Sequence, residues 1–502
     1  MTVARVALRR PRFRRPERDA FLALCLVVLA PVLGAAVGGG WSTVMVLLTV
    51  TAIALAVGIS DWRRSVYLLL AYLPFSGIPF VLLYPEARLS ALIKDLLFIL
   101  PAYLGFVVCS GQWRRTELRD FPIALFAIFA VLVVAQVFNP ASPSRLVGAI
   151  GAKVWLFYIP LCFLGYHLVR DRGDVAKVLG VMSVAAIVPA LVGVIEAVFI
   201  YAGHHDLVYR WYGDAAASVT QDFAEFNLSG GATLRRVPST FSFVAQYFAF
   251  TVSMSAVTYA WWRAVLARTR LAPLGAAVWL LLLLAGLLSG ARAAFLFIPF
   301  LAALILVLEG PRARLGLGRI TAPAALLVGV AVVILGSSAK AVLTHASETG
   351  LGEIGDVFVN GFRRGFELTL TGLGTGVNTN AARHAFAQSD QFTAVNGIWY
   401  ESWYVKVLLE LGVVGLVVVA LLLGTLVVTV FRNHARLKDP GFRAVSASVL
   451  ALLIWNVLFN AKAQYMDMDP MNVHFWLLFG LVLKLPVLDA EVAPDGTQNV
   501  HG

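Results

Sequence analysis

Long apolar stretches constrain this chain more than any other feature of its sequence. A helix of about 17–25 apolar residues can cross the hydrocarbon core of a bilayer, which is about 30 Å thick. The apolar stretches of this chain predict an all-α polytopic membrane protein with about fourteen transmembrane helices. The fourteen stretches lie at about 20–38, 42–60, 65–84, 89–109, 121–138, 150–169, 175–202, 238–262, 273–289, 292–309, 319–337, 401–431, 444–460 and 472–488.

The composition agrees with this interpretation. Of the 502 residues, 60% are apolar and 14% are charged, whereas a soluble protein has about 45–50% and about 25%. No water-soluble core could hide so much apolar surface, which excludes a soluble enzyme, a disordered regulator and a secreted disulfide scaffold. The three cysteines lie in or at the end of apolar stretches, so their spacing indicates neither a disulfide framework nor a zinc site.

The distribution of Lys and Arg predicts the topology, because cytoplasmic segments of membrane proteins are enriched in these residues. If the basic N-terminus lies in the cytoplasm, 26 of the 40 Lys and Arg residues fall in cytoplasmic segments, 11 in outer loops and three inside spans. The net charge of +12 is then explained by topology and does not indicate a nucleic-acid partner. Both termini are expected in the cytoplasm, with an uncleaved first span.

This topology divides the chain into three groups of spans, two long outer loops and two cytoplasmic tails. Both loops are rich in aromatic residues, which favours short helices that lie on the membrane surface or form a cap over a cleft. No convincing internal repeat is present, which weakens the case for an inverted-repeat transporter. The expected segments are the tail 1–19, spans one to seven in 20–203, the loop 204–237, spans eight to eleven in 238–337, the large loop 338–400, spans twelve to fourteen in 401–488 and the tail 489–502.

Two pairs of arginines stand in the outer loops. Arg235-Arg236 precedes the eighth span, and Arg363-Arg364 lies in the large loop. The planar guanidinium group binds phosphate oxygens in a bidentate manner, so two pairs on one membrane face would suit a diphosphate. The alternative is that the arginines flank the spans or contact lipid headgroups.

Alternating glycines follow the second arginine pair. Gly372, Gly374 and Gly376 permit a tight backbone turn with close approach of another group. Such a turn could contact a phosphate or be an ordinary loop. It is not a nucleotide-binding fingerprint, because no strand precedes it and the loop is expected on the outer side.

Ionisable residues near the twelfth span offer a candidate base. Glu401 stands at the outer mouth of this span, where it is either a general base or a charge favoured by the helix dipole. His384, in the large loop, is either a second candidate base or a surface histidine. Lys406 and Glu410 are four residues apart on one helix face, so they could pair with each other or clamp neighbouring helices. No spacing of histidines and carboxylates indicates a metal site.

Four pieces of sequence combine these features. Their order, spacing and common outer side resemble the family of bacterial O-antigen polymerases and O-antigen ligases. The ligase form of this family has histidine where this chain has Glu401, and the departure favours a polymerase or another polysaccharide transferase over a ligase that acts on lipid A-core. The four pieces are Arg235-Arg236 before "VPSTFSFVAQYFAF", Arg292 within "LLSGARAAFLF", Arg363 separated by ten residues from Gly374, and Glu401-Ser402 followed by nine residues and the glycines Gly412 and Gly415.

The resemblance implies a GT-C-like membrane glycosyltransferase in the bacterial inner membrane. Its donor would be a glycan on undecaprenyl diphosphate, and its acceptor would be a sugar hydroxyl at the periplasmic face. The implied reaction inverts the anomeric centre and needs no metal or other cofactor, because the arginines neutralise the leaving diphosphate while Glu401 or His384 serves the acceptor. The implied partners are the lipid-linked glycan, membrane lipids and other polysaccharide assembly proteins.

Two other functions remain open at this level. A lipid-linked oligosaccharide transporter would need substrate groups near the middle of the membrane, and Lys94, Asp95 and Lys153 are the candidates. The arginine pairs on one face argue against it. The other alternative is a non-catalytic partner in a polysaccharide export complex.

Overall fold

The structure is a computed structural model, and it describes most of the apolar stretches. Outside the described residues lie the N-terminal tail, the first apolar stretch, most of the second and eleventh stretches, Arg292 and residues 493–502 of the C-terminal tail. The described residues are 52–82, 84, 90–110, 121–216, 225–227, 233–291, 293–310, 329–331, 333–334, 352, 355–386 and 389–492.

The chain divides into two compact units. The smaller unit comprises Met1–Leu69 with Leu92–Arg115, and the larger comprises Leu70–Ala91 with Thr116–Gly502. Helices of the smaller unit pack closely, because a Cβ atom on Gly58 would lie 2.3 Å from the Cβ of the helical Pro101. The smaller unit holds helix α1 (52–60), the first part of α2 (Trp62–Tyr72), which continues into the larger unit, and most of the helical run α4 (90–110).

The larger unit is predominantly helical and carries every described candidate site residue. In chain order, its elements are α3 (Ile78–Leu82), α5 (Ile123–Val137), α6 (Arg145–Leu156), α7 (Leu161–Leu168), α8 (Arg172–Tyr201), α9 (His205–Tyr212), β1 (Glu225–Asn227), β2 (Thr233–Arg235), α10 (Val244–Trp261), α11 (Ala272–Leu288), α12 (Ala294–Glu309), α13 (355–368), α14 (Asn380–Ala385), α15 (Asp390–Asn396), α16 (Trp403–Arg436), α17 (Pro440–Phe459) and α18 (Met471–Val492).

Five helices of the described chain are long and apolar enough to cross a membrane. They have 20 to 34 residues and mean hydropathies from 1.6 to 2.9. Three further apolar helices are shorter: α5, α11 and α12. The prediction of a helical membrane protein is confirmed at this level. The five long helices are Arg145–Leu168, Arg172–Tyr201, Trp403–Arg436, Pro440–Phe459 and Met471–Glu491.

The prediction of an all-α chain needs one correction in the first long loop. There, β1 and β2 pair as an antiparallel hairpin in which Phe226 lies opposite Leu234. Both strands read polar, apolar, polar, and this alternation with a period of two is typical of strands. Three residues in each strand are too few to signal a hairpin by pattern alone.

The helix ends of the larger unit sort onto two faces. On one face Arg172 bonds Asp439 over 2.9 Å, and the backbone N–H of Lys438 donates to Asp489 over 2.7 Å. The other face, called the site face below, carries Arg235, Arg236, the three alternating glycines and Glu401. The site face is formed by 201–213, 235–243, 289–291, 369–379, 400–402 and 460–470.

Helix α16 is interrupted near the site face. Gly412 has φ +72° and ψ −171°, which breaks the helix nine residues, or about two and a half turns, after its buried start at Trp403. The freed backbone groups are paired by the preceding loop: Leu373 N–H donates to the Leu409 carbonyl over 2.7 Å, and Val413 N–H donates to the Leu370 carbonyl over 2.9 Å. Within a membrane protein, irregular backbone requires such internal partners.

This break makes glycine necessary at position 412. A Cβ atom there would lie 2.5 Å from the carbonyl carbon of Thr371, and the left-handed φ disfavours other L-residues. We expect Gly412→Ala to lower the free energy of unfolding by about 1–3 kcal/mol or more. Gly424→Ala is the matched control in the same helix, because its Cβ would meet nothing within 4 Å. Denaturant unfolding of both variants in detergent tests this, and equal stability would contradict it.

Candidate functional site

The three alternating glycines form a buried turn on the site face. Gly372, Gly374 and Gly376 have φ values of +92°, +99° and +93°. A Cβ atom on Gly376 would lie 2.1 Å from the carbonyl oxygen of Val147, and one on Gly374 would lie 2.9 Å from the Cβ of Ser142. The turn therefore needs glycine both for its backbone conformation and for its packing, which supports its interpretation as a loop.

A buried carboxylate holds the residues that follow this turn. Glu410, in α16, is fully buried. One of its oxygens accepts from the Asn378 backbone N–H and the Thr379 hydroxyl, both over 2.9 Å. The other accepts from the Trp155 indole N–H over 2.7 Å. Glu410 thus joins three separate segments through three hydrogen bonds.

The same turn positions the residue before Glu401. The Asn378 side chain accepts from the Tyr400 N–H over 2.8 Å and donates to the Tyr400 carbonyl over 3.1 Å. Gln464, in the loop after α17, donates to the same carbonyl over 3.0 Å. The backbone beside Glu401 is therefore fixed from two sides.

The suggested pairing of Lys406 with Glu410 is not the one that forms. The buried Lys406 ammonium instead pairs with Asp467, whose carboxylate also accepts from the Trp403 indole N–H over 3.0 Å. The Lys406 nitrogen lies 4.5 Å from the centre of the Trp155 ring. Because Trp155 also donates to Glu410, one indole separates the two charged groups and contacts both.

The charges of Glu401 and Arg236 both influence the pKa of one tyrosine. Tyr465 is buried in the loop between α17 and α18. Burial raises the pKa of its hydroxyl, the positive charge of Arg236 lowers this pKa, and the negative charge of Glu401 raises it. The side chain of Glu401 is 61% exposed, and one of its oxygens lies 3.7 Å from the Lys462 ammonium. Both charges are therefore near enough to Tyr465 to influence its hydroxyl, although 165 residues separate them in sequence.

The first arginine pair is held at the end of β2. The Tyr201 hydroxyl donates to the Arg235 carbonyl over 2.8 Å, and the Arg235 guanidinium lies 3.3 Å from His205 Nδ1. Gly290 has φ +75°, and a Cβ atom there would lie 2.4 Å from the Arg235 carbonyl oxygen. The pair is therefore packed against two neighbouring segments.

A buried polar network fixes the segment that follows the arginines. Ser239 has φ +53°, its backbone N–H donates to Glu196 over 2.8 Å, and its hydroxyl donates to the Pro189 carbonyl over 2.7 Å. The Tyr212 oxygen lies 2.6 Å from both a Glu196 carboxyl oxygen and the Ser239 carbonyl oxygen. These contacts join the arginine segment to α8 and α9.

The second arginine pair occupies a different environment. Arg363 and Arg364 are exposed on α13, and Arg363 pairs with Glu367 over 3.4 Å. The buried side of this helix faces α16, because a Cβ atom on Gly361 would lie 2.8 Å from a Val405 methyl group. No hydrogen bond or ion pair of the described residues joins this pair to Glu401 or Arg236.

The remaining candidates are only partly placed. His384 lies in the short helix α14, and Arg292 lies outside the described residues. Among the residues that the structure describes, no group of three or more His, Cys, Asp or Glu side chains could hold a metal ion.

Sequence reasoning missed the contribution of the loop between α17 and α18. This loop supplies Lys462, Gln464, Tyr465 and Asp467, which contact or influence residues of the site. The signal was present as a run of polar residues, AKAQYMDMD, between two apolar stretches. Such a run looks like an ordinary turn until its partners are known.

An apolar cavity of about 50 Å³ lies beside this loop. Asp467 and Trp403 line it at the site face, and Leu422 and Leu426 of α16 line it deeper in the helix bundle. Its lining is therefore mostly apolar, with the Asp467 carboxylate among the lining groups.

No family model matches the chain, and no curated protein matches it.

Proposed function

We propose that this protein is a polysaccharide polymerase of the bacterial inner membrane. It transfers a glycan from an undecaprenyl diphosphate carrier to an acceptor sugar hydroxyl at the periplasmic face. In this proposal the site face is periplasmic, both termini are cytoplasmic, and the chain forms fourteen spans in a GT-C-like arrangement. Its partners are the lipid-linked glycan, membrane lipids and other polysaccharide assembly proteins.

One arrangement carries the proposal: the loop between α17 and α18 lies against Glu401, since Lys462 is 3.7 Å from its carboxylate, and Tyr465 of the same loop is close enough to Arg236 for its charge to lower the tyrosine pKa. Transfer from a diphosphate requires positive charge where the leaving group develops negative charge. It also requires a group that receives or orients the acceptor proton. A guanidinium and an accessible carboxylate on one membrane face meet both needs.

The proposed step is a single displacement. The acceptor oxygen forms a bond to the anomeric carbon as the bond from that carbon to the diphosphate oxygen breaks. The acceptor proton passes to the Glu401 carboxylate, and Arg236, with Arg235, neutralises the released diphosphate. Attack opposite the leaving group inverts the anomeric centre. The apolar cavity beside Asp467 offers a hydrocarbon-like surface next to the place where the lipid carrier would enter.

Arg236 should be more sensitive to substitution than Arg363. Arg236→Lys keeps the charge but loses the bidentate fork, and we expect the transfer rate to fall about 10–150-fold. Arg363→Lys should have a smaller effect, because the Arg363 side chain is 77% exposed and pairs with Glu367. Initial rates at equal protein amounts measure this difference. A larger loss in Arg363→Lys would move the diphosphate site to the large loop.

The proposed function is tested with purified protein and undecaprenyl diphosphate-linked repeat units. A polymerase forms glycans longer than one repeat and releases undecaprenyl diphosphate. A ligase extends only when lipid A-core is added. If no new glycosidic bond forms with either acceptor, the protein is not a glycosyltransferase, and a transport assay with the same lipid becomes the relevant measurement.

A further inference from the structure

Three buried polar atoms next to Glu401 have no hydrogen-bond partner among the described residues: Ser402 Oγ, Asn460 Nδ2 and Gln464 Oε1. Their side chains are 0%, 0% and 4% exposed. A buried polar group without a partner is costly, and most such groups in proteins are satisfied by protein, water or ligand. The three atoms therefore call for a partner that the described chain does not supply.

These atoms belong to two facing segments. The Trp403 N–H, directly after Ser402, donates to the Asn460 carbonyl over 2.9 Å. Gln464 donates to the Tyr400 carbonyl over 3.0 Å. The residues 400–403 thus lie against 460–464, and the three unpaired atoms belong to residues of these two segments.

Neighbouring hydrogen bonds fix what each group offers. Asn460 Oδ1 accepts from the Met466 N–H over 3.2 Å, so Nδ2 remains as a donor. Gln464 Nε2 donates to the Asn378 carbonyl as well as to Tyr400, so Oε1 remains as an acceptor. The Ser402 hydroxyl precedes α16 without capping it, and it can both donate and accept. A donor, an acceptor and a hydroxyl together complement the adjacent hydroxyl groups of a sugar.

A partly exposed ion pair, Glu401 with Lys462, lies close in sequence to the three unpaired atoms. Glu401 directly precedes Ser402, and Lys462 follows Asn460 by two residues. Their 3.7 Å ion pair is partly exposed, with side-chain exposures of 61% and 17%. Exposed ion pairs of this kind contribute little to stability. The three atoms are themselves buried, so a sugar would have to displace this pair to reach them.

We infer that Ser402, Asn460 and Gln464 form a carbohydrate subsite that binds the acceptor sugar next to Glu401. Its role as the acceptor subsite rests on the proposed function, whereas the binding of a sugar does not. The subsite accounts for three unpaired groups at once and places the bound hydroxyl beside the carboxylate that would take its proton.

Ser402→Ala tests the subsite cleanly, because its effects on binding and on stability differ in sign. Removing a buried hydroxyl that has no partner should leave stability unchanged or raise it. Removing a sugar contact should raise the acceptor KM about tenfold with little change in kcat. Asn460→Asp is the second variant: it keeps the acceptor for Met466 and replaces the unpaired donor with a carboxylate oxygen, so the cost of the buried charge is measured by its unfolding temperature without sugar. Ser448→Ala is the matched control, because Ser448 Oγ is also buried without a partner among the described residues, and Ser448 precedes Asn460 by about 18 Å along the axis of α17.

Two readouts separate this subsite from the proposed function. The first is acceptor KM and kcat in the transfer assay. The second is the shift in unfolding temperature of the purified protein with glucose, galactose, mannose, rhamnose, N-acetylglucosamine or glucuronate. A shift that is lost in Ser402→Ala and kept in Ser448→Ala supports the subsite even if no transfer occurs. If no sugar shifts the wild type, or if Ser402→Ala and Asn460→Asp respond like Ser448→Ala, the subsite is overturned and buried water is the partner.

Discussion

Glu410→Gln should destabilise the protein by about 2–3 kcal/mol and reduce transfer by about 100-fold in the protein that remains folded. The amide can keep the acceptor for Asn378 and Thr379, but its NH₂ group then faces the Trp155 indole N–H, so two donors meet in a buried site. Glu410→Ala should cost about 3–5 kcal/mol, because it leaves three buried donors without an acceptor.

The loss of activity follows from the contacts that Glu410 anchors. Glu410 accepts a hydrogen bond from the Asn378 N–H. The Asn378 side chain in turn forms hydrogen bonds with both the N–H and the carbonyl of Tyr400, the residue before Glu401. A small displacement of a reacting group is enough to reduce a rate by about 10²-fold. Glu410 is therefore a positioning residue, and its carboxylate is not proposed to touch the substrate.

Glu309→Gln is the matched control for this prediction. Glu309 is also a buried carboxylate, but it lies on the opposite face, where it accepts from Tyr259 and Arg263. Its substitution should lower stability while leaving the rate of the folded protein near that of wild type. Denaturant unfolding and initial rates, measured on both variants, separate the two effects. Equal specific rates in the two variants would contradict a positioning role for Glu410.

Glu401→Gln should reduce the transfer rate by about 10²–10⁴-fold, which is the usual range for loss of a general acid or base. The amide keeps the size of the side chain but cannot receive the acceptor proton. Stability should change little, because the carboxylate is 61% exposed and its ion pair with Lys462 spans 3.7 Å. The predicted signature is a large fall in kcat without unfolding.

The control is a carboxylate of similar exposure on the same side of the molecule. Glu367 is 58% exposed and pairs with Arg363 over 3.4 Å, so Glu367→Gln removes the same charge without removing the proposed base. Its rate should stay close to that of wild type. If Glu401→Gln loses less than about tenfold, Glu401 only orients the acceptor. If Glu401→Gln and Glu401→Ala both retain full activity, the residue is a helix-end charge and His384 becomes the candidate base.

The glycine motifs show where sequence reasoning succeeded and where it stopped. Alternate glycines at 372, 374 and 376 predicted a tight turn, and the turn forms with three positive φ values. The sequence did not reveal that this loop would pair with a break at Gly412, since Leu370 and Leu373 supply hydrogen bonds that the broken helix lacks. Conformational preference is a property of one residue, but a partner for a free carbonyl is a property of the whole fold.

The charged residues of α16 also show what the sequence could predict and what only the fold decided. Spacing placed Lys406 and Glu410 on one helix face and allowed them to pair. In the structure each found a partner on another segment, Lys406 with Asp467 and Glu410 with Trp155, Asn378 and Thr379. A helical spacing measures which groups are near enough to interact, but it carries no information about competing partners that other helices bring closer.

The sequence by itself determined that the chain builds long apolar helices suited to a membrane, because a helix satisfies its own backbone hydrogen bonds and only its length and apolar surface matter there. Only the tertiary structure decided which polar residues meet. Arg236 and Glu401 influence one tyrosine because β2, the start of α16 and the loop after α17 end on the same face. Contacts between distant segments depend on how the helices pack, and no local pattern records that packing.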